Sequence, residues 1–350
     1  MNKLDKIFKN KKKYEFDPYF IAEAGVNHGG KLDKAFRLIE EAKEGGADAI
    51  KFQTYKANTI ASKHSPSYWD LKQEKTRSQY LLFKKYDSFS KKDYEKLKKH
   101  CDKFKIDFLS TPFDLDAANF LNDLVDCFKI SSSDLNNIPF IEHISSFGKP
   151  IILSTGASNI NEIKKAVSVI EKNKNKLGLL HCVLNYPTQI KNANLLMIRG
   201  LKKNFNKHLI GYSDHTLVRE RDVLISSVLL GAQIIEKHFT YNNKLKGNDH
   251  YHSMDFIDLR EFVNKLVVVR ELLGTINSKK CLKEELISRK NARRSIYAKK
   301  SIKKNKKIRE DDLICKRPGM GISPLNFYKI IGKKAKKNIK PFSPILKSFY

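Results

Sequence analysis

Eight short apolar runs punctuate the first 275 residues, and stretches of helical spacing separate them. "YFIAEAG" (19–25), "DAIKFQTY" (48–55), "IDFLSTPF" (106–113) and "CFKISSSD" (127–134) read as strands, as do "PIILSTG" (150–156), "LGLLHCV" (177–183), "HLIGYSD" (208–214) and "AQIIEKHF" (232–239). Continuous apolar runs of this length suit strands buried on both faces, as in a parallel sheet. Helices are predicted over 34–46, 91–104, 114–124, 138–148, 159–173, 194–204, 217–231 and 255–274, with Asp114 placed as an N-cap. Eight strand–helix pairs in about 250 residues predict an α/β fold of the (β/α)8 TIM-barrel type. A doubly wound sheet is the alternative, but no Gly-rich dinucleotide fingerprint follows the first strand.

The pattern assigns residues 1–275 to the barrel, 276–290 to a polar linker and 291–350 to a small β-rich second domain. A polar insertion of about thirty residues follows the second strand and holds Trp69. In the second domain "KKNKKI" reads as an exposed hairpin tip, with Asn305 able to take a left-handed turn. The N-terminal "MNKLDKIFKNKKKYEF" reads as a frayed lead-in to the first strand; it has no apolar stretch to make a secretory signal.

Sixty-eight Lys and Arg against 38 Asp and Glu give a formal charge of +30. The lysines spread over nearly every element instead of forming one stripe, and no nucleic-acid recognition motif accompanies them. No nucleic-acid partner is expected; the charge serves to concentrate small anionic substrates. No run approaches the roughly 20 apolar residues of a membrane span. Five cysteines without paired spacing imply no disulfide frame and a reducing, cytoplasmic setting.

In such a barrel the chemistry gathers where strands end. Polar signatures fall there: Glu23, "NHGG" (27–30), Lys51 with Gln53, "STPFD" (110–114), "KISSSD" (129–134), "STG" (154–156), "HCVLNYPT" (181–188), "YSDHT" (212–216) and "EKHFT" (236–240). His215 and His238 close consecutive strands and are placed to meet across one gap. Glu236 and His238 share a strand face, and Lys237 points the other way. Two neutral imidazoles with open positions suit a catalytic divalent metal. His250 and His252, on the following loop, are secondary candidates. A lysine flanked by apolar residues, as in "AIKFQ" and "CFKIS", needs an anionic partner when buried. Lys51, Lys129, Ser132, Ser154 and Ser213 therefore read as an anion site.

Together "FIAEAGVNHGG", "DAIKFQTYKANT", "KISSSDLNNIP", "ILSTGAS", "IGYSDHT", "IIEKHFT" and "KRPGMGI" resemble the sialic acid synthase family over nearly the whole chain. The resemblance implies a TIM barrel followed by an antifreeze-like (SAF, β-clip) domain, in a domain-swapped homodimer. It implies condensation of phosphoenolpyruvate with an open-chain N-acylated amino sugar, such as N-acetylmannosamine or a 2,4-diacetamido sugar. The implied ion is Mn2+, with Mg2+ or Co2+ as alternatives, held by His215 and His238. Lys51, Thr111, Lys129, Ser132, Ser154 and Ser213 would hold phosphoenolpyruvate. Gln53, Asp134, Tyr186, Asp249 and Arg317 would face the sugar, Arg317 arriving from the other subunit. Glu23 is the first choice for handling the proton and Glu236 the second. Asp134 stands where the family often has Glu, Leu184 where it often has Asn, and the "KGNDHYHSMD" loop is a variant. "YSDHT" points to the neuraminate and legionaminate branches. The rival reading is a Schiff-base aldolase using Lys51 or Lys129 without metal.

Overall fold

The computed structural model describes residues 2–219, 222–247, 249–276 and 278–350. The chain forms two compact units, Met1–Leu273 and Gly274–Tyr350. The first contains eight parallel strands: β1 (Tyr19–Gly25), β2 (Ala49–Thr54), β3 (Asp107–Pro112), β4 (Phe128–Ile130), β5 (Ile151–Ser154), β6 (Leu177–Cys182), β7 (Leu209–Asp214) and β8 (Ile234–His238). Their order is β3-β2-β1-β8-β7-β6-β5-β4, and β3 lies beside β4, so the ring is nearly closed. This is a TIM barrel, with helices such as Leu32–Gly45, Lys91–Phe104, Ile160–Lys172 and Phe256–Leu273 between and after the strands.

Strand alternation sorts each residue to a side. Phe20, Ala22, Ile50, Phe52, Phe108, Phe128, Ile210 and Ile235 point outward into the core shared with the helices. Tyr19, Ile21, Ala49, Leu109, Cys127, Ile152, Leu180, Leu209 and Ile234 point inward and fill the lower barrel. Gly211 marks how narrow that interior is: a Cβ there would lie 2.3 Å from the Ile234 carbonyl oxygen.

The N-terminus differs from its sequence reading. Lys3–Lys9 is a helix capped by the Asn2 side chain, and Leu4 and Ile7 complete the same inner cluster. The helix plugs the lower end of the barrel, and burial of its two apolar residues is what makes so short a helix stable.

The insertion after β2 forms an ordered structure around its own bonds. Pro66 bridges to Ser78, which caps helix Gln79–Tyr86. The Trp69 indole donates to the Thr76 carbonyl at 3.1 Å, and a Glu74 carboxylate oxygen accepts from the Thr76 backbone and hydroxyl at 2.9 and 2.7 Å.

The second unit pairs β9 (Ser295–Ala298) with β10 (Leu313–Lys316) in antiparallel register over a core that includes Ile296, Ile302, Ile308, Ile330, Ile339 and Ile345. Asn305 adopts a φ of 68° in an exposed turn, as its side-chain chemistry allows. The end of the stretch read as linker belongs to helix Leu286–Ala292. Its Lys290 carbonyl accepts from Gly319 at 2.7 Å. Arg317 is exposed in this unit, directly after β10. Among the described residues no helix is long and apolar enough to cross a membrane. The five cysteines are free.

Candidate active site

Above the apolar lower barrel the inward positions turn polar. Register sets Glu23 of β1 beside Lys51 of β2 on one side and His238 of β8 on the other. The Lys51 ammonium lies 2.5 Å from one Glu23 oxygen and 3.9 Å from Glu236. It also donates to the Thr111 hydroxyl at 3.0 Å. Gln53 donates to the other Glu23 oxygen at 2.9 Å. Lys129 donates to the Ser154 hydroxyl at 2.8 Å and lies 3.7 Å from Glu236. Ser213 donates to Glu236 at 3.2 Å. All four charged side chains are buried.

Burial and pairing set their protonation. Burial lifts the Glu23 carboxyl above its ordinary value; Lys51 opposes this without cancelling it, and Glu236 adds to it. Burial pushes Glu236 upward too, but Lys129, Lys51 and His215 outweigh it and the carboxyl is held low. Burial pulls the Lys51 ammonium down, and Glu23 and Glu236 more than restore it, so it is raised. For Lys129 burial wins: Glu236 offsets it only partly, Lys51 repels it, and its pKa is lowered.

Beside this quartet lies a cluster of imidazoles. His238, Asp249 and His252 are buried and offer ligand atoms all within 4.8 Å of one another. The His215 ring centroid is 5.5 Å from that of His238, so the two strand-end histidines do meet. His215 donates through Nδ1 to the Val183 carbonyl at 2.9 Å, which leaves Nε2 for a ligand. Tyr186 packs over His215 at 4.1 Å between ring centroids. Burial lowers His215 to about 4 and takes His238 and His252 well below their ordinary value. The rings are neutral at physiological pH, the form that binds metal. Burial raises Asp249 to about 7, with Glu23 adding and Lys51 opposing.

The donor set fits a divalent cation. His238 Nδ1 and both His252 nitrogens are buried without a hydrogen-bond partner. A buried unpaired polar group costs about 1–3 kcal/mol, so their clustering calls for a ligand. Imidazole nitrogen with carboxylate oxygen is a combination that Mn2+, Fe2+ or Co2+ accepts.

A small cavity of about 80 Å³ opens next to this group, lined by Gln53, Tyr68, Trp69, Phe83, Tyr86, Tyr186, His238 and Asp249. One end is polar, and the aromatic wall comes largely from the insertion. Ser132 and Asp134 lie on the 3-10 segment that follows β4. Ser132 accepts from the Gly156 backbone at 2.9 Å. Asp134 turns back on its own 3-10 segment, accepting from Ser133 and Asn137 at 3.3 Å each.

Two features were only partly drawn by sequence reasoning. One is the inward position of His252, which the sequence offered only as one of two secondary loop candidates with His250. The other is a buried pair on the outer face: Lys237 contacts Asp214 at 2.7 Å, and Asp214 also accepts from Tyr212, the Thr216 backbone and the Thr216 hydroxyl at 2.9 Å each. These bonds fix both flanks of His215.

Comparison with known proteins gives the family. Residues 38–278 match the NeuB family and residues 293–349 match the SAF domain. The chain is 39% identical over 325 residues to the N,N'-diacetyllegionaminic acid synthase of Campylobacter jejuni, covering 91% of this chain and 96% of that protein. It is 33% identical over 330 residues to the human N-acetylneuraminate-9-phosphate synthase, covering 90% and 88%. A crystal structure of N-acetylneuraminic acid synthetase from Leptospira borgpetersenii, in complex with citrate, superposes with a TM-score of 0.68 at 35% identity, covering 78% of this chain and 90% of that one. With its barrel, its buried lysine–glutamate quartet and its C-terminal SAF domain, the chain belongs to the NeuB family of phosphoenolpyruvate-condensing nonulosonic acid synthases.

Proposed function

We propose that the chain condenses phosphoenolpyruvate with an open-chain 2,4-diacetamido sugar and water, giving a nine-carbon legionaminate-type 2-keto acid and phosphate. N-acetylmannosamine is the alternative acceptor. The observation that carries the reading is the buried quartet of Glu23, Lys51, Lys129 and Glu236 beside the His238–Asp249–His252 group. The choice of sugar is supported by the higher identity to the legionaminate synthase. An aromatic wall of Tyr68, Trp69, Phe83 and Tyr86 also suits the methyls of two acylamino groups.

Lys51 and Lys129 would release their carboxylate partners to the phosphate and carboxylate of phosphoenolpyruvate, with Thr111, Ser154, Ser213 and Ser132 donating around them. Fixing both anionic ends presents C3 of the enol ester to the acceptor aldehyde at near-attack distance. A divalent ion, Mn2+ by preference and Mg2+ or Co2+ otherwise, held by His238, Asp249 and His215 would supply Lewis-acid polarisation of the acceptor carbonyl. The C3–C1 bond forms as the acceptor carbonyl opens and its oxygen takes a proton to become a hydroxyl. Water adds to C2, and phosphate leaves with C2–O cleavage as the C2 hydroxyl loses its proton and becomes the keto group. Glu23 takes the proton from that water: its carboxyl is the one of the pair held high, whereas Glu236 is held low and serves as a fixed anion. Gln53 keeps Glu23 oriented. Asp134 and Tyr186 would contact the sugar. In a domain-swapped homodimer, Arg317 of the partner subunit would complete the mouth.

The test is phosphate release from phosphoenolpyruvate with Mn2+ and a panel of N-acylated hexosamines, with mass spectrometry of the product. Turnover dependent on a 2,4-diacetamido sugar and abolished by EDTA supports the reading. The lowered Lys129 keeps one rival open, a Schiff-base aldolase. Borohydride trapping of a substrate–lysine adduct, with turnover unaffected by EDTA, would replace the condensation mechanism by that one.

A further inference from the structure

We propose that His252 is a ligand of the divalent ion, so that the donor set is His238, His252 and Asp249, joined by His215, instead of the strand-end pair alone. The inference rests on the reading that this site takes a divalent ion, and it concerns a side chain that lies on neither strand end.

Bonding state separates His252 from other buried histidines. The His181 ring bonds the Ala193 carbonyl at 2.8 Å, and His28 Nδ1 accepts from Gly30 at 3.1 Å. His250, two residues away, bonds the Thr240 hydroxyl at 2.7 Å. His252 is 0% exposed, yet neither of its ring nitrogens has a partner. Among the described residues, the buried unpartnered ring nitrogens belong to His252 and to His238. Their ring centroids are 4.8 Å apart, closer than the 5.5 Å between His215 and His238. Donor atoms on one ion at about 2.1 Å lie roughly 3–4 Å from each other, and side-chain rotation closes the present spacing to that range.

The position is also built. Met254 donates to the His238 carbonyl at 2.8 Å and accepts from Thr240 at 2.8 Å, which stitches the segment to the end of β8. Asn27 donates to the Ser253 hydroxyl at 3.0 Å, and Ser253 in turn donates to the Asp249 carbonyl. Tyr251 donates to the Tyr186 carbonyl at 3.0 Å. Asp249 and His252 are thus presented together, and two imidazoles with one carboxylate form a donor set suited to Mn2+, Fe2+ or Co2+.

The experiment uses the full chain, stripped with chelator and titrated with Mn2+ alone. His252→Phe keeps ring volume without a donor, and His252→Gln keeps polarity. Each is expected to weaken Mn2+ binding about tenfold to a hundredfold while the stripped protein melts within a few degrees of wild type. Pulsed EPR of the Mn2+ complex of His215→Phe gives a readout independent of folding in the His252 variants. Two coupled imidazoles are expected; one would mean that His238 alone remains and would overturn the proposal. Mn2+ affinity within twofold of wild type in either folded His252 variant would overturn it as well. If that happens while the wild-type chain still releases phosphate in a Mn2+-dependent way, the role of His252 is lost and the proposed function stands. A wild-type chain that binds no Mn2+ removes both the metal reading and this one.

Discussion

The Lys237–Asp214 pair offers a sharp test of how the site is held, because both charges are buried on the outer face of the barrel and neither touches the cavity. Their contact is 2.7 Å, and each side chain is only 2% exposed. Burial pushes Asp214 upward, but Lys237 and the donors from Tyr212 and Thr216 outweigh it and hold the carboxyl low. Lys237→Met keeps the aliphatic stem and removes the charge, leaving a buried carboxylate with neutral donors only. Removing one member of a buried pair costs about 3–5 kcal/mol. For a barrel of this size that lowers the thermal midpoint by roughly 6–15 °C. Asp214→Asn should cost a similar amount, because it strands the ammonium. In the double variant neither charge remains, so its loss should fall short of the summed single losses by about 2–3 kcal/mol, the coupling expected of contacting residues. Urea titrations of the four proteins give the cycle. A coupling within about 0.5 kcal/mol of zero would show that the two charges are held independently and refute the argument.

Other outcomes follow from the barrel's two ends. Ile7→Ala should cost about 2–4 kcal/mol in urea unfolding, since this side chain is fully buried in the lower plug; an unchanged midpoint would restore the frayed reading of the N-terminus. Gly211→Ala should cost about 3 kcal/mol or more, because the obstacle to its Cβ is a backbone oxygen at 2.3 Å. Gly200→Ala, with nothing within 4 Å of its Cβ, should be neutral or stabilising. Burial, opposed by a Gly25 backbone bond, depresses His28 to about 4. Between about pH 6.5 and 4 the unfolded chain binds a proton there that the folded chain does not, so His28 removes stability as pH falls through that window, by up to about 3 kcal/mol. His28→Phe should flatten the stability–pH slope in that range by up to one proton. An identical slope in both proteins would refute the assignment.

How much of this was legible beforehand follows from what encodes each part. The strands were, because continuous apolar runs separated by helical spacing have few other solutions. The opposed directions of Glu236 and Lys237 were as well, since alternation is a property of the backbone: Glu236 faces the quartet and Lys237 faces Asp214. His252 was legible only as one of two loop candidates, because a loop has no period and its segment is turned inward by bonds from Ser253 to Asn27 and from Met254 to the end of β8. The plug helix escaped for a related reason. "KLDKIFK" is too short to be helical alone and becomes so by packing Leu4 and Ile7 under the barrel. Asp249 was assigned to the sugar, and the structure places it among the imidazoles on the cavity wall, where either contact is within reach.

The same alternation explains why core and site are specified together. On β1 the inward residue two positions before Glu23 is Ile21, and on β2 Ala49 precedes Lys51. Cys127 precedes Lys129 on the way into β4, and Ile234 precedes Glu236 on β8. In each case the strand passes from an apolar inward residue to a charged one at its next inward position. A one-residue slip in any of these strands would carry its apolar residue off the inner cluster and swing a charge onto the helix-facing side, where the neighbours are apolar. The cost of the misplaced charge adds to the cost of the lost burial. Registers that would misassemble the quartet are therefore the ones that folding disfavours most, and the barrel core beneath Glu23, Lys51, Lys129 and Glu236 sets their positions, to which Gln53, Thr111, Ser154 and Ser213 add side-chain bonds.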